Sequence, residues 1–217
     1  MFPIIVGTML ALSVLSSDKT TLASAVLQPK EQVVSEKTYS LSDRYANTFV
    51  NDVFADNILL TLAYMRDAQK KGDKVDWSKV KEDFVLKMTL NPGETFAFHD
   101  QVLPEYQGKV TFTTNAHFDS SEGFKSDGWL VADGVCHLAS FMNVVAKDAG
   151  LKVVAPTNHN FAVIPDVPKE NGTAIYYMPG EQNTSSLQNL YITNTFDYPV
   201  TFIFTHKGSS LDIAVEK

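Results

Sequence analysis

One cysteine and one histidine stand where a thiol reaction would need them. Cys136 lies in Asp133-Gly134-Val135-Cys136-His137, where a Gly- and Asp-rich loop gives way to a helical pattern. A thiol at a helix start meets unpaired backbone N–H groups and the positive end of the helix dipole, and both favour the thiolate. His159 follows 23 residues later in Asn158-His159-Asn160, at the mouth of the apolar run Phe161–Ile164. From there its imidazole could act as the base that a nucleophilic sulfur requires. Asn189 or Asn194 could orient the ring, and we take Asn189 as the candidate third residue. N–H groups at the helix start would hold an oxyanion. Phe124 and Trp129 on the preceding loop, with His137 and Asn160 beside the two central residues, complete a candidate substrate-binding set. The competing reading makes Cys136 a small buried hydrophobe and Asn-His-Asn a turn whose imidazole satisfies backbone carbonyls. On these residues alone both readings stand.

Composition removes other chemistries. The 217 residues carry a net charge of −7, which disfavours the clustered cationic surface that a nucleic-acid backbone demands. A single Cys excludes an intramolecular disulfide framework and any multi-cysteine metal centre. The five histidines form no HExxH pattern. Cys136, His137 and His159 would bind a metal only by converging, and adjacent residues at a helix start diverge. Asp119, Glu122, Asp127 and Asp133 make an acidic loop whose spacing misses the EF-hand pattern, so neither metal nor cofactor is expected.

These residues need elements to position them. Ser42-Asp43 reads as a helix start, and apolar residues at helical spacing from Phe49 to Met65 predict a long amphipathic helix over 43–71, ending in Lys70-Lys71-Gly72. A short helical piece is expected around Trp77–Phe84. Asn91-Pro92-Gly93-Glu94 is a turn, followed by short extended runs at 95–98 and 110–114. The stripe Val135, Leu138, Ala139, Met142, Val145, Ala146, Ala149 predicts a second helix that starts at the cysteine and closes at Gly150. Strand-like runs follow at 151–155, 161–164, 173–178, 189–193 and 199–205. Helices followed by strands give an α+β fold with a mostly antiparallel sheet.

The uncharged run Phe2–Leu15 is short for a membrane span but suits the apolar core of a signal peptide, with Ala23-Ser24-Ala25 as a cleavage-type sequence, although no Lys or Arg precedes it. The expected layout is a signal peptide or membrane anchor at 1–25, a linker at 26–41 and one domain at 42–217. The protein is expected to be exported and to meet a membrane only through its N-terminal segment.

Four elements in order resemble the VanW family of bacterial envelope proteins, named for a component found with vancomycin-resistance genes. Asn57-Ile58 and then Asn91-Pro92-Gly93-Glu94-Thr95-Phe96-Ala97-Phe98 resemble its "NPGE-x-F-x-F" element. Gly134-Val135-Cys136 with the helix to Ala149-Gly150-Leu151 resembles "G-I-C-Q … AGL". His159 matches a family histidine. Leu190–Asn194 with Asp197-Tyr198-Pro199-Val200 resembles its closing "L-x-F-x-N … YP" stretch. The family's Gln after the cysteine is His137 here, an Asp before its last strand is Asn189, and its "DA" pair is Gly172-Thr173. The resemblance implies an exported, cell-wall-associated protein with a pocket around the Cys and the His. Three functions follow as expectations. The first is a cysteine-dependent acyl transferase or hydrolase acting on cell-wall peptides or amides. The second is a non-catalytic module binding peptidoglycan or an envelope protein. The third is a membrane-anchored scaffold whose 43–71 helix docks a partner.

Overall fold

The structure, a computed structural model, describes residues 32–217. The expected signal segment, and the part of the expected linker before residue 32, lie outside the described residues. Strands β1 (Val33–Ser40), β2 (Phe84–Leu90), β7 (Val200–Lys207) and β8 (Ser210–Glu216) form an antiparallel sheet in the order β1-β8-β7-β2. A second sheet runs β4-β3-β6-β5, from β3 (Thr95–Ala97), β4 (Val110–Phe112), β5 (Lys152–Val154) and β6 (Tyr191–Thr193). Its β3–β4 pair is parallel and the others antiparallel. The helices are α1 (Thr48–Met65), α2 (Trp77–Val80), α3 (Val135–Asp148) and α4 (Gln182–Leu187). The expected α+β class and mostly antiparallel pairing are borne out.

The first sheet is built by alternation. Val200, Phe202, Phe204 and His206 of β7, with Leu211, Ile213 and Val215 of β8, turn inward while their neighbours face outward. This two-residue period is that of a half-buried strand. Helix α3 packs on that inner face, where Tyr39 of β1 stacks on Phe141 with centroids 3.8 Å apart and planes 11° apart. Residues 33–40, expected as linker, are thus an edge strand paired along its length with β8. Its sequence reads as polar because the β8 ladder holds it, with Tyr39 as its buried residue.

Three other expectations change. Helix α1 is shorter than 43–71. Asn47 caps it by accepting the Phe49 N–H at 3.0 Å, and from Asp56 to Tyr64 every residue is buried. Residues 161–164 form no strand: 161–163 are an exposed lip, with Phe161 70% and Val163 84% exposed, and Ile164 is buried behind it. Residues 173–178 run extended but outside both sheets.

The two long helices meet at Gly134, the residue before α3. Its φ is +97°, and a Cβ there would lie 2.7 Å from the Phe54 carbonyl oxygen and 2.8 Å from the Phe54 Cα. Glycine is required both by conformation and by contact. The family-like turn has a parallel structural basis. Glu94 accepts the Asn91 N–H at 2.7 Å, and Asn194 donates to the carbonyls of Leu90 (2.9 Å) and Tyr198 (2.8 Å). Gly134→Ala is expected to cost about 3 kcal/mol or more in urea unfolding. Gly180→Ala, at φ +85° but in open space, should cost about 1 kcal/mol. Equal costs would remove the helix contact from the explanation.

Candidate functional site

Helix α3 carries two stripes. Its apolar stripe faces the core as expected. Beside it lies a polar row, Cys136, Ser140, Asn143 and Lys147, at the three- and four-residue spacing that shares one helix face. The segment Asn171–Ile175, which leaves a short 3-10 turn at Asn171, runs along this row with no strand on that side, so the row satisfies its backbone on that edge. Asn143 donates to the Asn171 carbonyl at 3.0 Å and to Thr173 Oγ1 at 3.1 Å. Ser140 Oγ accepts the Thr173 N–H at 2.8 Å. The Ile175 N–H donates to Cys136 Sγ at 3.4 Å, and the thiol donates back to the Ile175 carbonyl at 3.6 Å. Lys147 closes the row on Asn171 Oδ1 at 2.8 Å. Cys136 therefore does for Ile175 what Ser140 does for Thr173.

This placement reverses the electrostatic expectation for the thiol. Cys136 does sit in the first turn of the helix, but burial pushes its pKa up to about 11, with the Asp133 charge adding to the rise. Hydrogen bonding from Ile175 opposes the shift without overcoming it. Removing a small anion from water outweighs a terminal helix dipole here. His159 is 8% exposed, and burial lowers its pKa. Its Nδ1 faces the Ala162 carbonyl at 3.2 Å, which makes Nδ1 the protonated nitrogen of a neutral ring. No hydrogen bond joins Cys136 to His159 among the described residues. Asn189 is placed elsewhere. Fully buried, it accepts the Phe98 N–H at 2.9 Å and donates to the carbonyls of His99 and Gln101, both at 3.1 Å. It holds the second sheet to residues 98–101 and does not orient His159.

Cys136 and His159 nevertheless share one cavity of about 810 Å³. Its walls come from the start of α3 (Cys136, His137), from Tyr45 and Phe54, from the loop Asp127–Gly134, and from Ile175–Tyr177. His137 is 3% exposed and burial lowers its pKa to about 3, so it is a neutral wall group. Its Nε2 pairs with Tyr45 Oη at 3.2 Å, while its buried Nδ1 has no partner. Trp129, 90% exposed, and Phe161 are exposed aromatic lips on two separate loops that line the cavity. Of the remaining candidates, Phe124 is a correction. It is buried in the core, stacked with Tyr64 and edge-on to Phe118, and does not line the cavity. Asn160 lines a smaller neighbouring cavity of about 250 Å³ together with His159 and Phe161. Among the described residues no group of three His, Cys, Asp or Glu side chains could hold a metal ion.

Both lips are held from behind. Asn57 of α1, fully buried, donates to the carbonyls of Lys125 (3.0 Å) and Asp133 (2.8 Å) and accepts the Lys125 N–H at 2.8 Å. It thereby pins both ends of the loop that carries Trp129. The other lip is tied down by Arg44, which donates to the Pro165 carbonyl and Asp166 and lies over the Phe141 ring at 4.7 Å. Sequence reasoning passed over the polar row on α3. Its signal was present as Cys136, Ser140, Asn143 and Lys147 at helical spacing beside the apolar stripe.

A family model described as "VanW like protein" matches residues 79–215, more than half of the chain. The chain belongs to the VanW family. No curated protein and no solved structure matches it. In this VanW protein the matched region holds the cysteine, the histidine, the polar row and the turn at Asn91–Glu94, whereas Asn57 and Tyr45 precede it. Among the described residues no helix is long and apolar enough to cross a membrane.

The row predicts an asymmetric response to substitution at Cys136. Cys136→Ser should remain within about 1 kcal/mol of the parent in chemical denaturation, because a hydroxyl can replace the thiol on Ile175. Cys136→Ala should cost about 1–3 kcal/mol by leaving a buried N–H without an acceptor. A Ser variant as unstable as the Ala variant would contradict the assignment.

Proposed function

We propose that this VanW protein is a non-catalytic binding module of the cell envelope, and that its cavity takes up a cell-wall peptide. The observation that carries this reading is a large, mainly apolar cavity with exposed aromatic lips, in which the one thiol is engaged by backbone on both its donor and acceptor sides. About 810 Å³ lies in the range of sites that enclose a drug-sized ligand or a few residues of peptide. Exposed aromatic side chains beside such a cavity would lose apolar surface to water-free contact when a ligand enters. Family membership and the apolar N-terminal run support a cell-envelope location.

The thiol-enzyme reading draws support from the shared cavity of Cys136 and His159. It would require the sulfur to leave Ile175, ionise against its burial and meet an imidazole to which it is not hydrogen-bonded. The module reading requires none of these steps.

Calorimetric titration with soluble cell-wall peptide fragments tests the proposal. Binding is expected with no change in the fragments' mass over time. Trp129→Ala and Phe161→Ala should each weaken binding by about tenfold, and Cys136→Ser should bind as the parent does. Fragment cleavage or transfer that disappears in Cys136→Ser would overturn the proposal in favour of the enzyme.

A further inference from the structure

The charge around the cavity is one-sided. Asp119, Asp127 and Asp133 line it, and no Lys or Arg does. Two nearby cations are engaged elsewhere. Arg44 pairs with Asp166 at 3.3 Å, and Lys71 lies 2.6 Å from His117 Nδ1 and 3.5 Å from Glu122. Three imidazoles also line the cavity: those of His137 and His159 stay neutral, and His117 is turned to other carboxylates, with Nε2 3.1 Å from Asp100 and Nδ1 3.7 Å from Glu122.

The three carboxylates differ. Asp119 is used by its own turn, accepting the N–H groups of Ser121 and Glu122 and the Ser121 hydroxyl. Asp127 and Asp133 stand together at the base of the loop that carries Trp129. The Asp127 N–H donates to Asp133 Oδ2 at 3.1 Å, and Asp127 Oδ1 accepts the Trp129 N–H at 3.2 Å. Neither forms an ion pair among the described residues. Asp56 provides a contrast, since its carboxylate is met by both Lys81 and Lys125. Burial, with Asp127 beside it, pushes Asp133 up to about 6, which marks a carboxylate short of compensating charge. The unpartnered Nδ1 of His137 lies in the same wall.

We infer that the cavity selects its peptide through a primary ammonium group, received by Asp127 and Asp133 while the aliphatic stem packs against Trp129, Leu130 and Phe161. This deepens the peptide-binding reading and rests on it. The lining fits one side chain well, with the carboxylate pair and the indole on the same short loop and Phe161 adding apolar surface to the same cavity. A lysine-type side chain has that form, a flexible hydrocarbon stem ending in a compact charge. An acidic ligand would face three carboxylates with no cation in the wall. A purely apolar ligand would leave the carboxylate pair desolvated and unpaired, a penalty that an ammonium removes.

The test uses the intact protein and three blocked tripeptides with the sequence leucine-X-phenylalanine, where X is lysine, its uncharged isostere norleucine, or glutamate. Calorimetry at neutral pH should show the lysine peptide binding at least about tenfold more tightly than the norleucine peptide, with the glutamate peptide weakest. In the Asp127→Asn and Asp133→Asn double variant the lysine preference should fall to about twofold or less. The carboxamide oxygens can still accept the two loop N–H groups, so the loop is retained. The norleucine peptide should bind the variant more tightly than it binds the parent, because no carboxylate pair is then left desolvated and unpaired. Equal or tighter binding of the norleucine or glutamate peptide to the parent would overturn the ammonium inference and leave the cavity as a binding site. A lysine preference that survives in the double variant would overturn the assignment to these aspartates. Absence of binding by all three peptides would overturn both the inference and the reading on which it rests.

Discussion

A segment of chain with no partner strand on one edge must still satisfy its backbone there, and in this fold a helix supplies what a strand would have given, while Thr157 and His159 pair with the other edge. Asn171–Ile175 runs beside α3, and Asn143, Ser140 and Cys136 meet it in turn. Buried N–H groups without acceptors each cost on the order of 1–3 kcal/mol, so this side-chain row is a condition of folding. It also fixes the back wall of the cavity, because Ile175, Tyr176 and Tyr177 continue directly from it. The state of the thiol follows from the same contacts. A sulfur placed to hydrogen-bond a peptide unit in a desolvated setting is held as a neutral group, and its position in the first turn of a helix does not reverse that.

The front of the cavity depends on α1. Gly134 allows α3 to begin against the backbone of Phe54, and one helical turn further along α1 Asn57 secures both ends of the Trp129 loop. The loop can therefore be rigid at its base while its tip stays exposed. On the other side Arg44 anchors Pro165 and Asp166 and leaves Phe161 and Val163 in solvent. Exposed apolar side chains on well-anchored loops are a pre-organised contact surface, for which little ordering entropy remains to be lost on binding. Of the elements that resemble the family's, Gly134 takes part in this frame by permitting a helix contact, whereas Glu94 and Asn194 close a turn at the end of the second sheet.

The sequence carried some of this organisation clearly and concealed the rest for physical reasons. The apolar stripe of α3 and the alternation in β7 were legible because each buries one face at its own period. Strand β1 was not, since an edge strand is held mainly by backbone pairing. The run Phe161–Ile164 looked like a strand because apolar residues usually mark burial, yet Phe161 and Val163 are exposed at a cavity mouth. At the site, a pocket shared by Cys136 and His159 was implied by the family resemblance. Their lack of direct coupling was not, because it rests on a backbone partner 39 residues away from the cysteine. Phe124 and Trp129 show the same limit. They are five residues apart in one loop, and one enters the core while the other reaches solvent.

Ultraviolet titration of the Cys136 thiolate in the native protein, with Cys136→Ser as the blank to remove tyrosine ionisation, tests most directly whether this thiol is structural. A half-buried thiol hydrogen-bonded to Ile175 should show no thiolate absorbance through neutral pH and should titrate only as pH approaches about 11. A thiolate that develops between about pH 5 and pH 8, the range of activated catalytic cysteines, would contradict a structural role for Cys136.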